Sequence, residues 1–264
     1  MSESSIAQTF EALRARGRTA LVPYLTAGYP DLRSSEEALR AADELADVLE
    51  VGVPFSDPLA DGPTIQRSTF QALQQGMTLA GTLELIAKCR LRRPVVVFSY
   101  LNPIIRYGLD RFLRDAAGVG VAGLLLTDLP AGSDPAVEDA VTESRLDLIR
   151  LVAPTTRPER LQAAVAGAEG FVYLVARLGV TGASRALAAG LAESIGRVRE
   201  ATRLPVAVGF GISSAEQAAA VGRLADGVVV GSALVDALGS GGVAAARRFL
   251  GELRAGLDLA PAVA

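Results

Sequence analysis

The sequence predicts an α/β fold, a single (β/α)8 TIM barrel with an extra N-terminal helix and a short helix after strand 8. Three observations carry this expectation. Eight short apolar, β-branched runs recur along the 264 residues. Ala- and Leu-rich segments with polar residues at helical period separate them. The length also suits one such barrel, which typically uses about 250 residues, and no linker, low-complexity tract or charge block interrupts it. Residues 1–264 are therefore read as one domain. The alternative, an open doubly wound sheet, usually has fewer strands, and no GxGxxG fingerprint follows the first run.

The candidate strands are residues 19–25, 47–53, 94–100, 121–128, 147–153, 170–176, 204–210 and 225–231. They are near-continuous apolar runs, the pattern of parallel strands covered by helices. Ahead of them, Ile6, Phe10 and Leu13 lie at helical spacing and predict an amphipathic first helix. Ser213-Ser-Ala-Glu216 and Thr156-Arg-Pro-Glu159 read as capping boxes. Asp134-Pro135 reads as a cap followed by proline at the first helical position. Lys88, Arg90, Arg92 and Arg93 form the densest basic cluster, expected at the solvated end of a helix.

Composition excludes several classes. A net charge of −3 argues against a nucleic-acid partner, which calls for a basic patch or stripe. No uninterrupted apolar stretch approaches the roughly 20 residues of a membrane span, and the positive mean hydropathy reflects abundant Ala, Val and Leu. The start MSESSIAQTFEALRARG has no apolar h-region or cleavage-site pattern. One cysteine, Cys89, permits no internal disulfide and reads as a partly buried helix residue. A reducing, cytoplasmic setting is expected. The absence of histidine constrains mechanism most. It removes Ser-His-Asp and Cys-His chemistry and His-based metal sites, leaving acid–base work to Asp, Glu, Lys, Tyr or the one Cys.

The segment EVGVPFSDPLADGPTIQ, residues 50–66, draws attention first. By strand alternation, Leu49, Val51 and Val53 face the helices and Glu50 faces the barrel interior. A carboxylate there is costly unless paired or functional. The pairing alternative leaves Arg150 and Arg177 as strand or strand-end partners. Asp61 follows in a loop stiffened by Pro54, Pro58, Gly62 and Pro63, at the strand end where barrel active sites are built. Glu50 and Asp61 are the candidate catalytic pair, and Asp57 reads as a turn residue.

Late in the chain, Gly209-Phe210-Gly211-Ile212-Ser213 and Val230-Gly231-Ser232-Ala233 close strands 7 and 8. Barrels often bind phosphate with those two loops and a short helix N-terminus. Residues 177–190 are long for a connection and rich in small residues, as in a mobile lid, with Thr181 and Gly182 as candidate contacts. Tyr24, Phe98, Tyr100, Leu125, Tyr173 and Phe210 are inward-facing candidates that together suggest a flat aromatic substrate. Phe171, Tyr173 and Val175 share one face by alternation.

These residues resemble the tryptophan synthase α subunit family. EVGVPFSDPLADGPTIQ carries the most specific match. The resemblance continues at Pro23-Tyr24-Leu25-Thr26 with Gly28, Tyr100-Leu-Asn102-Pro, Asp128-Leu-Pro130, Tyr173, Arg177-Leu-Gly-Val-Thr-Gly182, Gly209-Phe-Gly-Ile-Ser213 and Gly231-Ser232, in family order from about residue 6 to 250. It implies retro-aldol cleavage of indole-3-glycerol phosphate to indole and glyceraldehyde 3-phosphate. Glu50 matches the general acid–base residue, and Asp61 the carboxylate that binds the indole N–H. Gly182, Phe210, Gly211, Gly231 and Ser232 match phosphate-binding positions. Tyr24, Ile65, Phe98, Tyr100, Leu125, Tyr173 and Thr181 match positions around the substrate. Tyr24 and Phe98 are often Phe and Leu in relatives, and Leu178 often a small residue. The resemblance further implies a β subunit carrying pyridoxal phosphate, an α2β2 complex and an indole tunnel. Asp57 and the Pro54–Pro58 loop sit where the family contacts β, and this chain shows no pyridoxal-phosphate site of its own.

Other readings stay open on the sequence. One is another phosphate-binding barrel, such as a sugar-phosphate isomerase or an indole-glycerol phosphate synthase. The latter is expected to need a strand-end lysine, and no predicted strand carries one. Others are a stand-alone lyase releasing free indole, or a non-catalytic barrel regulating a partner.

Overall fold

The computed structural model describes residues 4–175, 185–209 and 211–259, apart from the side chains of residues 185–189. Eight parallel strands close a barrel in sequence order: β1 (Ala20–Thr26), β2 (Leu49–Gly52), β3 (Val95–Ser99), β4 (Val121–Leu126), β5 (Asp147–Val152), β6 (Val172–Val175), β7 (Val206–Gly209) and β8 (Gly227–Val230). Pairing of Ala20 with Gly227 joins β8 to β1, which rules out the open sheet. Each strand lies within its expected run or passes it by one residue, but most are shorter, because several runs continue into site loops.

Eleven helices surround the strands among the described residues: α1 (Ser5–Ala15), α2 (Leu32–Leu45), α3 (Pro63–Gln74), α4 (Leu79–Cys89), α5 (Leu101–Tyr107), α6 (Leu109–Gly118), α7 (Pro135–Thr142), α8 (Pro158–Ala164), α9 (Arg185–Ala201), α10 (Ala215–Gly222) and α11 (Ser232–Asp258). The expected short helix after strand 8 is the first arm of α11. Gly242, at φ 66° and ψ −167°, kinks the helix and separates that arm from residues 243–258. No helix among the described residues is long and apolar enough to cross a membrane.

Two core layers follow from strand alternation. Outward residues such as Leu21, Leu49, Val97, Leu124, Leu148, Val208 and Val228 pack against the helices. Inward residues Val22, Val48, Val96, Leu125, Ile149, Phe171, Tyr173, Ala207 and Val229 form a second cluster with Ile6, Phe10 and Leu13 of α1. The first helix therefore plugs the N-terminal end of the barrel. Two inward glycines make the space. A Cβ at Gly123 would stand 2.9 Å from Ile6 Cδ1, and one at Gly227 would stand 3.2 Å from Phe10 Cε1. Ser4 caps α1 by accepting from Ala7 N at 3.1 Å, and its hydroxyl donates to the Asp147 carboxylate at the start of β5.

Asp134 caps α7 as expected, accepting from Val137 N at 3.2 Å, with Pro135 at the first turn. The α10 cap is Ser214, one residue past the expected Ser213; it accepts from Gln217 N, while Ser213 bonds Gln217 Oε1. The Thr156 box does not form: α8 starts at Pro158 behind Arg157, with no side-chain cap, because proline fixes the first helical residue there. Cys89, expected to be partly buried, is fully buried at the end of α4; burial first, then nearby Glu36, pushes its thiol up to about 11. The basic cluster ends α4 as expected, but Lys88 and Arg92 are tethered to Glu36 and Asp43 at 2.6 and 3.2 Å.

Candidate active site

Glu50 sits in the middle of β2, paired in register with Tyr24 on one side and Val96 on the other. Alternation turns it inward, and it is 1 % exposed. Its Oε1 is buried without a hydrogen-bond partner among the described residues. The ion-pair alternative fails for Arg150. That side chain points outward, forms an ion pair with Glu138 and donates to Ala166 O and Leu129 O. Arg177 lies outside the described residues. Burial alone pushes the Glu50 carboxyl up to about 8, so it holds its proton at neutral pH.

Asp61 enters from the β2–α3 loop. Its amide donates to Pro58 O at 3.1 Å and its carbonyl accepts from Gln66 Nε2 at 2.9 Å, which fixes the turn before Pro63 starts α3. The Tyr100 hydroxyl donates to Asp61 Oδ2 at 3.1 Å and accepts from Ala60 N at 2.9 Å. Burial raises the Asp61 carboxyl to about 6, against the lowering effect of the Tyr100 bond. Two carboxylates on one segment are thus held in different states near pH 7, the pattern that separates an acid from an anion. Asp57 stays exposed on the outer part of the loop, as a turn residue should.

The remaining predicted wall residues gather around them. Tyr24, Ile65 and Val235 form a small cluster against Phe98. Tyr24 and Phe98 meet edge-on, with centroids 5.2 Å apart. Phe55 leans on Tyr100 at 5.1 Å. Leu125 pairs with Phe98 and Ile149 inside the barrel. Tyr173 faces inward from β6, and burial first, then Glu50 and Asp61, raise its phenol well above the ordinary range. Leu101 N donates to Asp128 Oδ1 at 2.8 Å, which joins two sequence motifs at the β3 and β4 ends.

At the β7 and β8 ends, Gly211 has φ +87°, a conformation that favours glycine. Gly231 precedes α11, whose first residue is Ser232. β7 and β8 are paired, so the two loops are neighbours at the strand C-termini. The helix N-terminus there presents amides and a partial positive charge, suited to an anion. Thr181, Gly182, Phe210 and residues 177–184 of the expected lid lie outside the described residues; from Arg185 onward the chain is helical.

Two site residues escaped the sequence reading: Gly52, and Gly209 in this role. A Cβ on Gly52 would stand 2.0 Å from the Tyr24 hydroxyl, and one on Gly209 would stand 2.1 Å from the Tyr173 hydroxyl. The two phenols therefore lie across glycine-cleared faces of the barrel wall. The available signal was parity: Gly52 is two residues from Glu50 and must share its face. Gly52→Ala is expected to displace Tyr24 and cost about 1–3 kcal/mol as overpacking. Denaturant unfolding checks this, and an unchanged midpoint would show that Tyr24 is free to move. Among the described residues, no group of three His, Cys, Asp or Glu side chains is arranged to hold a metal ion.

The family model "Tryptophan synthase alpha chain" matches residues 10–253. A tryptophan synthase alpha chain from Acidiphilium cryptum is 48% identical over 90% of this chain and 88% of its own. One from a Picosynechococcus species is 43% identical over 95% and 98%. A crystal structure of tryptophan synthase from M. tuberculosis in its aminoacrylate-bound form superimposes with a TM-score of 0.87. It is 43% identical and covers 96% of this chain and 99% of its own. The alpha subunit from Legionella pneumophila str. Paris gives 0.88 at 32% identity over 98% and 100%.

Proposed function

This chain belongs to the tryptophan synthase alpha chain family, lyases of tryptophan biosynthesis, and from that premise we propose that it cleaves indole-3-glycerol phosphate to indole and glyceraldehyde 3-phosphate at the mouth of the barrel. The observation that carries the proposal is Glu50, a 1 % exposed carboxyl that faces the barrel interior and whose Oε1 has no hydrogen-bond partner among the described residues. Neutral Glu50 is the acid that protonates indole C3. The carboxylate so formed takes the proton of the glycerol C3′ hydroxyl as the carbon–carbon bond breaks. One group therefore serves both proton transfers, and its proton is restored at the end of the cycle. Asp61, held by Tyr100, accepts the indole N–H and stabilises positive charge developing on the ring. Tyr24, Ile65, Phe98, Leu125 and Tyr173 wall the ring, and Thr181 is a further substrate contact.

Gly182, Phe210, Gly211, Gly231 and Ser232 hold the phosphate. Gly211→Leu is expected to weaken binding of the phosphorylated substrate at least tenfold, because leucine is strained at that φ and would displace the backbone amides of the loop. Equal affinity of the variant and the parent, measured by equilibrium binding, would refute the phosphate site. Ammonium or Schiff-base chemistry has no support. Lys88 is the only lysine in the sequence, and it pairs with Glu36 at the end of α4.

The chain acts in one domain, in the cytoplasm, with a β subunit in an α2β2 complex. Pyridoxal phosphate belongs to β, and the α chain uses no cofactor of its own. A partner surface is supported beside the catalytic loop, where Leu59 is 91 % and Phe70 62 % exposed around a hollow of about 330 Å³ that also includes Phe55 and Asp57. Large apolar side chains exposed together mark interaction sites. The test is one assay of indole release from indole-3-glycerol phosphate, with and without a tryptophan synthase β subunit. No release in either arm would defeat the lyase reading, and release unaffected by β would defeat the partner.

A further inference from the structure

Behind Tyr24 runs a chain of buried hydroxyls to which the retro-aldol steps give no work. Ser68, on α3, is fully buried and donates from Oγ to Ile65 O at 2.8 Å. Thr26, at the end of β1, is equally buried, and its Oγ1 lies 2.7 Å from Ser68 Oγ. Thr26 Oγ1 donates to the Tyr24 hydroxyl oxygen at 3.4 Å. Each hydroxyl has one proton to give. Ser68 and Thr26 share a short contact in which either hydroxyl can donate, and Thr26 also donates toward Tyr24. The Tyr24 oxygen is therefore an acceptor toward Thr26, and the phenol's own proton is not spent on this chain. The Tyr24 proton is the one left to give.

Its position is also defined. The hydroxyl rests against the inward face of Gly52, which pairs with Thr26 and lies two residues beyond Glu50 on the same strand. It is therefore one layer above Glu50 on the side from which substrate enters. Burial, then Asp61, then the Thr26 contact and Glu50 act on this phenol, and the net effect is to raise it far above the ordinary tyrosine range, so it stays protonated wherever the enzyme works.

We propose that the Tyr24 hydroxyl is a substrate-binding donor, that it hydrogen-bonds a glycerol hydroxyl oxygen of the phosphorylated substrate just above Glu50, and that Thr26 and Ser68 are positioning residues that hold it there. This rests on the lyase reading. It adds a third polar group to the reacting end of the site and makes that end selective for an oxygenated side chain. No bond is made or broken by Tyr24. It fixes the substrate oxygen whose proton Glu50 must take.

The test uses the full chain with its β partner and two ligands. Indole-3-glycerol phosphate reports turnover. Indole-3-propyl phosphate keeps the ring and the phosphate but lacks both glycerol hydroxyls, and it reports inhibition. Tyr24→Phe keeps the ring against Phe98 and is expected to lower kcat/KM about three- to tenfold, the range of one hydrogen bond. The inhibition constant of the propyl compound should stay unchanged. Thr26→Val, or Ser68→Ala if that variant does not fold, should cost a similar factor. Either combined with Tyr24→Phe should cost no more than Tyr24→Phe alone, and Thr26→Ser should restore activity. Parent-like turnover in Tyr24→Phe would overturn the assignment. So would equal weakening for the propyl compound, or losses that multiply in the double variant, since both mark a merely structural role. Absence of indole release in the parent chain would instead overturn the lyase reading itself.

Discussion

Glu50→Gln is expected to keep the barrel folded and to remove nearly all indole release. One positioned acid–base group contributes about 10²–10⁴-fold in rate; because Glu50 carries both proton transfers, the loss should reach the upper end of that range. The fold survives because the site already holds this side chain neutral. Its carboxyl is enclosed, has no partner at Oε1 among the described residues and is raised to about 8 by burial. An amide of the same shape replaces an acid that was not ionised. Stability should even favour the variant at high pH. The native proton is released near 8, the unfolded one near 4.5. The contribution of Glu50 is thus fully present below about 4.5 and is lost as pH rises toward 8. Thermal unfolding of parent and variant should agree near pH 4.5 and diverge in favour of the variant at pH 8. Substantial turnover in Glu50→Gln would sink the acid–base role, and loss of folded structure would show that the carboxyl is structural.

Asp61→Asn carries the second largest effect, a rate loss of about 10²-fold, in the range for one lost electrostatic contact to developing charge. Substrate affinity should fall much less. The amide keeps a bond to Tyr100 but supplies no negative charge for the indole N–H. The pH profile separates the two carboxylates. Asp61 must be ionised, so kcat/KM of the parent should rise with pH through about 6; Glu50 must start protonated, so it should fall through about 8. The two limbs belong to a coupled pair and report apparent values. In Asp61→Asn the acidic limb should vanish and the basic limb remain. An acidic limb that persists in this variant would be falsifying evidence for the assignment of Asp61.

Much of the site was legible because strand alternation is a strict rule. The alternation of Leu49, Val51 and Val53 along the second apolar run was enough to turn Glu50 inward, and the same parity set Tyr24, Phe98 and Tyr173 on the interior face. The amphipathic spacing of Ile6, Phe10 and Leu13 was equally clear as a helix. It did not say where the apolar stripe would go. That depends on Gly123 and Gly227, which are distant in sequence and open room for Ile6 and Phe10 only once the barrel closes. The caps show the other limit. Ser213 and Ser214 are chemically the same, and a one-residue shift of the helix start is decided by where β7 releases the chain.

What the sequence determined by itself is the period and order of the elements, the inward carboxylate and the absence of any histidine to share its work. These are local properties, set by backbone geometry and composition. What only the tertiary structure decided is the protonation state of the pair. Glu50 is raised to about 8 by burial inside the closed barrel, and Asp61 is raised less because it is less buried and because Tyr100, 39 residues away in sequence, donates to it. Desolvation and hydrogen bonding between distant segments exist only in the closed barrel, so two similar side chains on one loop became a proton carrier and an anion.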